Sequence, residues 1–132
     1  MTQENKKLLL KDLCARFPYG IKASYYGVEE ECETWDEIEG ITLDEDFGGY
    51  VDIGQYSLPI ERIKPYLFPM SSMTEEQKVI YGDLCYSIIQ SLAKNMQSEL
   101  NELINWLNAH HFDYRGLIEK RLAIDATNLN VY

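Results

Sequence analysis

The spacing of the apolar residues changes along this chain, and that change constrains the fold more than any other feature of the sequence. In the first half, Ile21, Ala23 and Tyr25 alternate with their neighbours, a period of two that is typical of a half-buried strand. In the second half, residues such as Ile80 and Leu84 recur at the period of an α-helix. We therefore expect an α+β domain in which a β region precedes a helical region.

The first half predicts a helix followed by an antiparallel β-meander. Apolar residues at helical spacing over 5–16 end at Phe17-Pro18, because the residue before a proline avoids helical backbone angles. Gly48 and Gly49 can supply the positive φ of a tight connection. The sheet is expected to have three or four strands and to be open or curled like a small barrel. The predicted strands lie over 19–28, 34–43 and 50–57.

Two prolines mark the middle of the chain. Pro65 and Pro69 each lack a backbone donor for strand pairing, and they interrupt any helix. We expect residues 64–73 to form a connection between the β part and the helical part.

The helices of the second half have sequence signals at their ends. Thr74 and Gln77 match a capping box and predict a helix over 75–93. A second helical stretch is expected to end near 108–111. It either continues the first helix or, as we favour, follows a break near 94–97. Asp113 is a plausible N-cap for a third short helix over 114–122.

A chain of 132 residues suits one domain with one core. We expect a single domain over 1–132, divided into a helix and meander over 1–63, the connection over 64–73 and a helical part over 74–132. Trp106 falls beside the apolar stripe of its helix. The expected core residues are Trp35, Tyr25, Val51, Ile53, Leu84, Ile88, Leu103, Leu107, Leu117 and Ile118.

The charge of the chain excludes several classes of partner. The formal net charge is −10, which repels phosphate backbones and disfavours direct nucleic-acid binding. No apolar run approaches the ~20 residues that cross a bilayer, and we expect no membrane partner. The three cysteines, Cys14, Cys32 and Cys85, suit free thiols in a reducing compartment. The expected location is the cytoplasm.

The acidic side chains concentrate between residues 29 and 46, where no lysine or arginine occurs. Such density creates a negative potential that attracts a basic protein partner, including a nucleic-acid-binding protein whose ligand the surface mimics. The alternative interpretation is a solvated face whose like charges keep edge strands apart. The predicted partner-binding residues are Glu29, Glu30, Glu31, Glu33, Asp36, Glu37, Glu39, Asp44, Glu45 and Asp46.

Metal binding has weak support in the sequence. The Asp44-Glu45-Asp46 run lacks the ligand spacing of an EF-hand loop. His110, His111 and Asp113 form the only histidine cluster, but side chains of adjacent helical residues diverge. We expect no metal and no cofactor, and one histidine is expected to cap the end of its helix.

No catalytic residue is predicted. Cys14 and Cys85 lie among apolar helical positions and are expected to pack in the core. No nucleophile elbow, Walker loop or dinucleotide-binding glycine motif occurs. An enzyme is therefore the less favoured class.

Two stretches resemble a known group of sequences. The runs Ile63-Lys64-Pro65-Tyr66-Leu67-Phe68-Pro69-Met70-Ser71-Ser72-Met73-Thr74 and His110-His111-Phe112-Asp113-Tyr114-Arg115-Gly116-Leu117-Ile118-Glu119-Lys120 are similar to uncharacterised small proteins of gut Bacteroides and their prophages and other mobile elements. The group has no assigned activity. The resemblance implies a habitat and a phage-related origin, and no mechanism.

The leading functional hypothesis is a non-enzymatic interaction protein of phage or mobile-element origin, with an acidic surface for a basic partner. One alternative is a small metal-dependent hydrolase or nuclease that uses Asp44 and Asp46, or His110, His111 and Asp113. Another alternative is a structural or assembly component of a virion.

Overall fold

The computed structural model describes residues 1–26, 34–43, 48–91 and 96–132, and it confirms the α+β class. The helices are α1 (Gln3–Arg16), α2 (Glu75–Gln90) and α3 (Met96–Ala109). The strands are β1 (Lys22–Tyr25), β2 (Thr34–Thr42), β3 (Tyr50–Ile53), β4 (Tyr56–Pro59), β5 (Ile63–Pro69), β6 (Phe112–Asp113) and β7 (Ile124–Asp125).

The strands form one sheet in the order β4-β3-β2-β1-β5-β6, with β7 also paired to β5. Pairings from β4 to β5 are antiparallel, whereas β6 and β7 pair with β5 in parallel. Over the described residues the sheet is open. Among the described residues it has seven strands, more than the three or four expected, and it is not curled into a barrel.

The predicted meander is present, with one additional turn. Residues 50–57, expected as a single strand, form the hairpin of β3 and β4, because Gly54 adopts a φ of +58° that reverses the chain. Pairing then continues through Leu58 and Pro59.

The expected connection over 64–73 contains the central strand β5. Pro65 pairs with Ala23 and Pro69 pairs with Asp113, so both prolines lie inside the sheet. Strand β5 pairs with β1, β7 and β6 in succession along its length. Short contacts with several partners explain how the sheet tolerates two residues without an N–H donor.

The cap of α2 follows its sequence signal, whereas the cap of α1 was not predicted. Thr2 accepts a hydrogen bond from the Asn5 N–H at 3.1 Å. Thr74 and Gln77 form the complete capping box, with reciprocal bonds of 2.9 and 3.1 Å. These bonds satisfy one backbone donor at the start of α1 and two at the start of α2.

The predicted third helix over 114–122 does not form. Gly116 and Arg121 have φ values of +75° and +62°, which break right-handed helical geometry. Asp113 still caps this segment, since its carboxylate accepts the N–H groups of Leu117 and Ile118 at 2.9 Å each. The segment is a series of turns that places Leu117 in the core.

The main core joins α1 to the sheet, through side chains such as Leu13, Ile21 and Val51. Of the expected core residues, Tyr25, Val51, Ile53, Leu107 and Leu117 are buried. Leu84, Ile88, Leu103 and Ile118 are half-buried. Trp35 is 47% exposed, and the prediction for this residue was wrong.

A buried ion-pair network ties α1 to the segment after α3. Arg16 is fully buried, and its Nε donates to Asp12 Oδ2 at 2.8 Å while its Nη2 donates to the Phe112 carbonyl at 2.6 Å. Arg115 Nη1 donates to the other oxygen of Asp12 at 2.7 Å. One buried carboxylate thus contacts two guanidinium groups, that of Arg16 in the interior and that of the partly buried Arg115.

We expect Asp12→Asn to lower the free energy of unfolding by about 3 kcal/mol or more, because it leaves a buried arginine without its counter-charge. Urea denaturation of both proteins measures the difference. Asp83→Asn, an exposed change on α2, is the control and should shift stability by less than about 0.5 kcal/mol. Equal effects of the two variants would contradict the assigned role of Asp12.

Gly82 and Gly116 provide a second, matched test. A Cβ at either position meets no atom within 4 Å, so the two glycines differ in backbone conformation and not in space. Gly82→Ala should raise the free energy of unfolding by up to about 1 kcal/mol through helix propensity. Gly116→Ala should lower it by about 1 kcal/mol, because its φ is left-handed. Thermal or chemical denaturation shows whether each substitution raises or lowers the free energy of unfolding. A stabilising Gly116→Ala would contradict the left-handed turn at this position.

Candidate functional site

The hairpin of α2 and α3 carries an unusual distribution of apolar side chains. No residue of α2 is buried. On its inner side Tyr81 packs with Trp106 of α3, the ring centroids lying 6.5 Å apart. On the opposite side Val79, Tyr86 and Ile89 are 63%, 62% and 69% exposed. The helix is therefore apolar on two sides, and only one of them has a partner among the described residues.

We call Val79, Gly82, Tyr86 and Ile89 the outer face of α2. Their spacing of three, four and three residues places them on one side of a helix, as in the seam of a coiled coil. Gly82 has open space where a side chain would lie, so a second backbone can approach closely there. The shape of the outer face therefore allows another helix to pack against it.

Acidic residues surround the outer face. Glu75, Glu76 and Asp83 are exposed on α2. The only base in α2, Lys78, is bound to Glu75 at 3.1 Å. The neighbouring helix α3, which packs on the inner side of α2, adds Glu99 and Glu102 to the negative charge of the hairpin, and no base lies between Met96 and Ala109. A ligand on this face would meet apolar side chains within a negative rim.

The predicted acidic surface is only partly described. Asp36, Glu37 and Glu39 lie on β2 with exposed side chains. The Asp36 carboxylate accepts the Glu37 N–H at 2.8 Å. The structure thus places these residues on β2 and not on the hairpin. Outside the described residues lie Glu29, Glu30, Glu31, Glu33, Asp44, Glu45 and Asp46.

The histidine cluster does not converge. His110 Nδ1 donates to the Trp106 carbonyl at 2.9 Å, so this histidine caps the end of α3 as expected. His111 stacks on Tyr132 with ring centroids 3.6 Å apart, and the Asp113 carboxylate is used by two backbone N–H groups. Within the described ranges, no group of three or more His, Cys, Asp or Glu side chains could hold a metal ion.

The cysteines differ from the expected core packing. Cys14 is exposed, and Cys85 is half-buried. Partial burial raises the pKa of the Cys14 thiol, which disfavours the thiolate that a nucleophile needs. Cys85 lies beside Tyr81 and raises the pKa of its phenol through a side-chain hydrogen bond. Cys32 lies outside the described residues.

A pocket of about 410 Å³ lies where the hairpin meets the sheet. The rings of Phe68, Phe112 and Tyr132 form part of its wall, and Phe68 and Phe112 meet edge to face at 6.4 Å. The pocket is completed by the end of α3, including Ala109 and His110. We call it the aromatic pocket.

The stacked pair of His111 and Tyr132 separates the aromatic pocket from a second pocket of about 350 Å³, which Lys22 and Glu37 also line. Burial, with the nearby positive charge of Arg16, lowers the pKa of His111 to about 4. Burial raises the pKa of Tyr132 to about 12. Both rings of the stack are therefore uncharged near neutral pH.

Sequence reasoning missed the aromatic pocket, because its residues are far apart in the chain. Position 68 lies on a segment expected to be a connection, and position 132 lies 64 residues farther along the chain. The outer face had a visible signal in the heptad-like spacing of Val79, Gly82, Tyr86 and Ile89. The exposure of these residues had no signal in the sequence.

We expect the stability of the protein to fall as the pH drops from about 6.5 to 4, by at most about 3 kcal/mol from His111 alone. The unfolded chain takes up a proton over this window, whereas the folded protein keeps His111 neutral. The part of the free energy of unfolding that depends on neutral His111 is therefore fully present above pH 6.5 and is lost as the pH approaches 4. Urea denaturation across this range measures it.

His111→Asn is the variant that isolates this effect, since asparagine tolerates the φ of +62° at this position. The variant should be less stable at neutral pH and should have a flatter pH dependence than the parent. His110→Asn, which leaves the buried ring in place, should keep the parent's slope. A slope unchanged in His111→Asn would contradict the assignment.

No helix in the described parts of the chain is long and apolar enough to cross a membrane. Comparisons of the chain with protein-family models, with curated proteins and with solved structures found no match. The resemblance to Bacteroides and prophage proteins therefore stays a prediction.

Proposed function

We propose that this protein is a non-enzymatic interaction domain that binds a basic amphipathic helix of a partner protein on the outer face of α2. The observation that carries the proposal is the exposure of Val79, Tyr86 and Ile89 on a helix with no buried residue. Exposed apolar side chains that cluster on one face are typical of a protein-binding site.

The geometry of the outer face favours a helix as the ligand. Apolar residues at spacings of three and four match the contact row of a packed helix pair. Gly82 lowers the surface at the centre of this row. A partner helix can place a large side chain over Gly82 and contact Tyr86 and Val79 on either side.

The charges of the hairpin favour a basic ligand over a second copy of this chain. Two copies would bring together two acidic rims, each with Glu75, Glu76 and Asp83, in chains of net charge −10. Lysines or arginines beside the apolar stripe of a partner helix would instead face this rim, which speeds association and selects the partner. The exposed acids of β2 extend the same negative field.

The test uses two synthetic helical peptides with the same leucine stripe, one flanked by lysine and one by glutamate. We expect the lysine peptide to bind more tightly, by about tenfold or more, and to weaken as salt is raised. Fluorescence anisotropy of labelled peptides gives both affinities. Equal binding of the two peptides would contradict the basic-partner proposal.

Protein variants locate the binding face. Tyr86→Ser combined with Ile89→Ser should weaken the lysine peptide by about tenfold or more, with no loss of folding because both side chains are exposed. Leu43→Ser, at another exposed apolar position, is the matched control and should leave binding unchanged. Sedimentation of the free protein completes the design. A stable symmetric oligomer that the double variant dissociates would overturn the proposal and favour an assembly component.

A further inference from the structure

The aromatic pocket has the size and the wall of a small-molecule site. Its volume of about 410 Å³ falls within the range of about 300–1,000 Å³ found for ligand pockets. It lies between the start of α2, the end of α3 and the end of β5. Three separate elements thus converge on it, although the outer face of α2 contributes nothing to it.

Aromatic faces dominate the wall. Phe68 lies 6.4 Å from Phe112 and 6.0 Å from Tyr132, measured between ring centroids. Trp106 in turn stacks on Phe112, with ring centroids 5.7 Å apart, and lies tilted against His110 at 4.7 Å. Offset or edge contacts with such rings favour a flat, unsaturated ligand.

Polar groups at the mouth keep hydrogen-bonding capacity for a ligand. Gln77 Oε1 accepts the Thr74 N–H, which leaves its amide NH₂ as a donor. Thr74 Oγ1 accepts the Gln77 N–H and keeps its own O–H. Ser72 Oγ donates to the Pro69 carbonyl at 2.7 Å and keeps its lone pairs as acceptors.

His110 adds one more group. Its Nδ1 donates to the Trp106 carbonyl, so in the uncharged ring Nε2 is an acceptor. The pocket therefore offers donors and acceptors side by side. A purely hydrocarbon ligand would leave them unpaired, at a cost in affinity.

The described residues that line the aromatic pocket include no Asp, Glu, Lys or Arg. The described lining therefore has no Lys or Arg to bind a phosphate and no carboxylate to bind a cation. We infer that the aromatic pocket binds an uncharged planar heteroaromatic ring, of the size of a nucleobase, with hydrogen-bond donors and acceptors on its edge. The ring packs against Phe68, Phe112 and Tyr132, and its edge faces Thr74, Gln77 and His110.

The test titrates the ¹⁵N-labelled protein with adenine, uracil and nicotinamide, followed by two-dimensional NMR. At least one of these neutral heterocycles should give saturable shifts that centre on residues 77, 110 and 112, with a Kd below about 1 mM. Adenosine monophosphate should bind several-fold more weakly than adenosine. Emission from Trp106 in a Trp35→Phe variant, whose sequence has no other tryptophan, gives a second readout.

Ala109 allows the pocket to be filled without disturbing the core, since it lines the pocket and is exposed. Ala109→Leu should weaken binding by about tenfold, whereas Ala109→Ser, the matched control, should bind as the parent does. Three results would each overturn the inference. These are the absence of saturable shifts with all three heterocycles, tighter binding of the monophosphate than of adenosine, and unchanged binding in Ala109→Leu.

Discussion

The buried guanidinium of Arg16 is the constraint on which the rest of the structure depends. A charge in the interior is tolerated only when it is paired and hydrogen-bonded. Here Asp12 supplies the counter-charge from the same helix, and the Phe112 carbonyl supplies an acceptor from the far end of the chain. The ion pair alone would be weak evidence for stability, but its geometry fixes where the segment after α3 must lie.

The aromatic residues are positioned by this attachment. Arg16 and Arg115 both lie over the Tyr114 ring, with their Cζ atoms 5.2 and 4.5 Å from its centroid. The Phe68 N–H donates to the His111 carbonyl at 2.8 Å, which joins the same segment to β5. The wall of the aromatic pocket is thus anchored on both sides, by charge towards α1 and by backbone pairing towards the sheet.

Local signals in the sequence predicted local structure well. The capping box of Thr74 and Gln77 and the alternation around Ala23 specified α2 and β1, because each depends on neighbours within a few residues. The failures occurred where distant contacts decide. Pro65 and Pro69 argued against a strand, yet β5 is held by three short partners, and Trp35 had the composition of a core residue but lies exposed beside Lys22.

The two candidate sites also differ in whether they depend on local sequence or on distant contacts. The heptad-like spacing of the outer face is a local property and was present in the printed sequence, although its exposure was not. The aromatic pocket unites Phe68, Ala109 and Tyr132, which only the folded chain brings together. No periodicity or motif in the sequence indicates that these residues lie close together, since their proximity depends on the packing of several elements at once.

The absence of buried residues in α2 has a consequence for how this protein can change over generations. The outer-face side chains contribute little to folding, because folding removes little of their surface from water. Substitutions there escape the stability threshold that limits change in the core. The rest of the protein can therefore remain constant while the outer face of α2 changes, so that related chains could share this scaffold and differ in the proteins that they recognise.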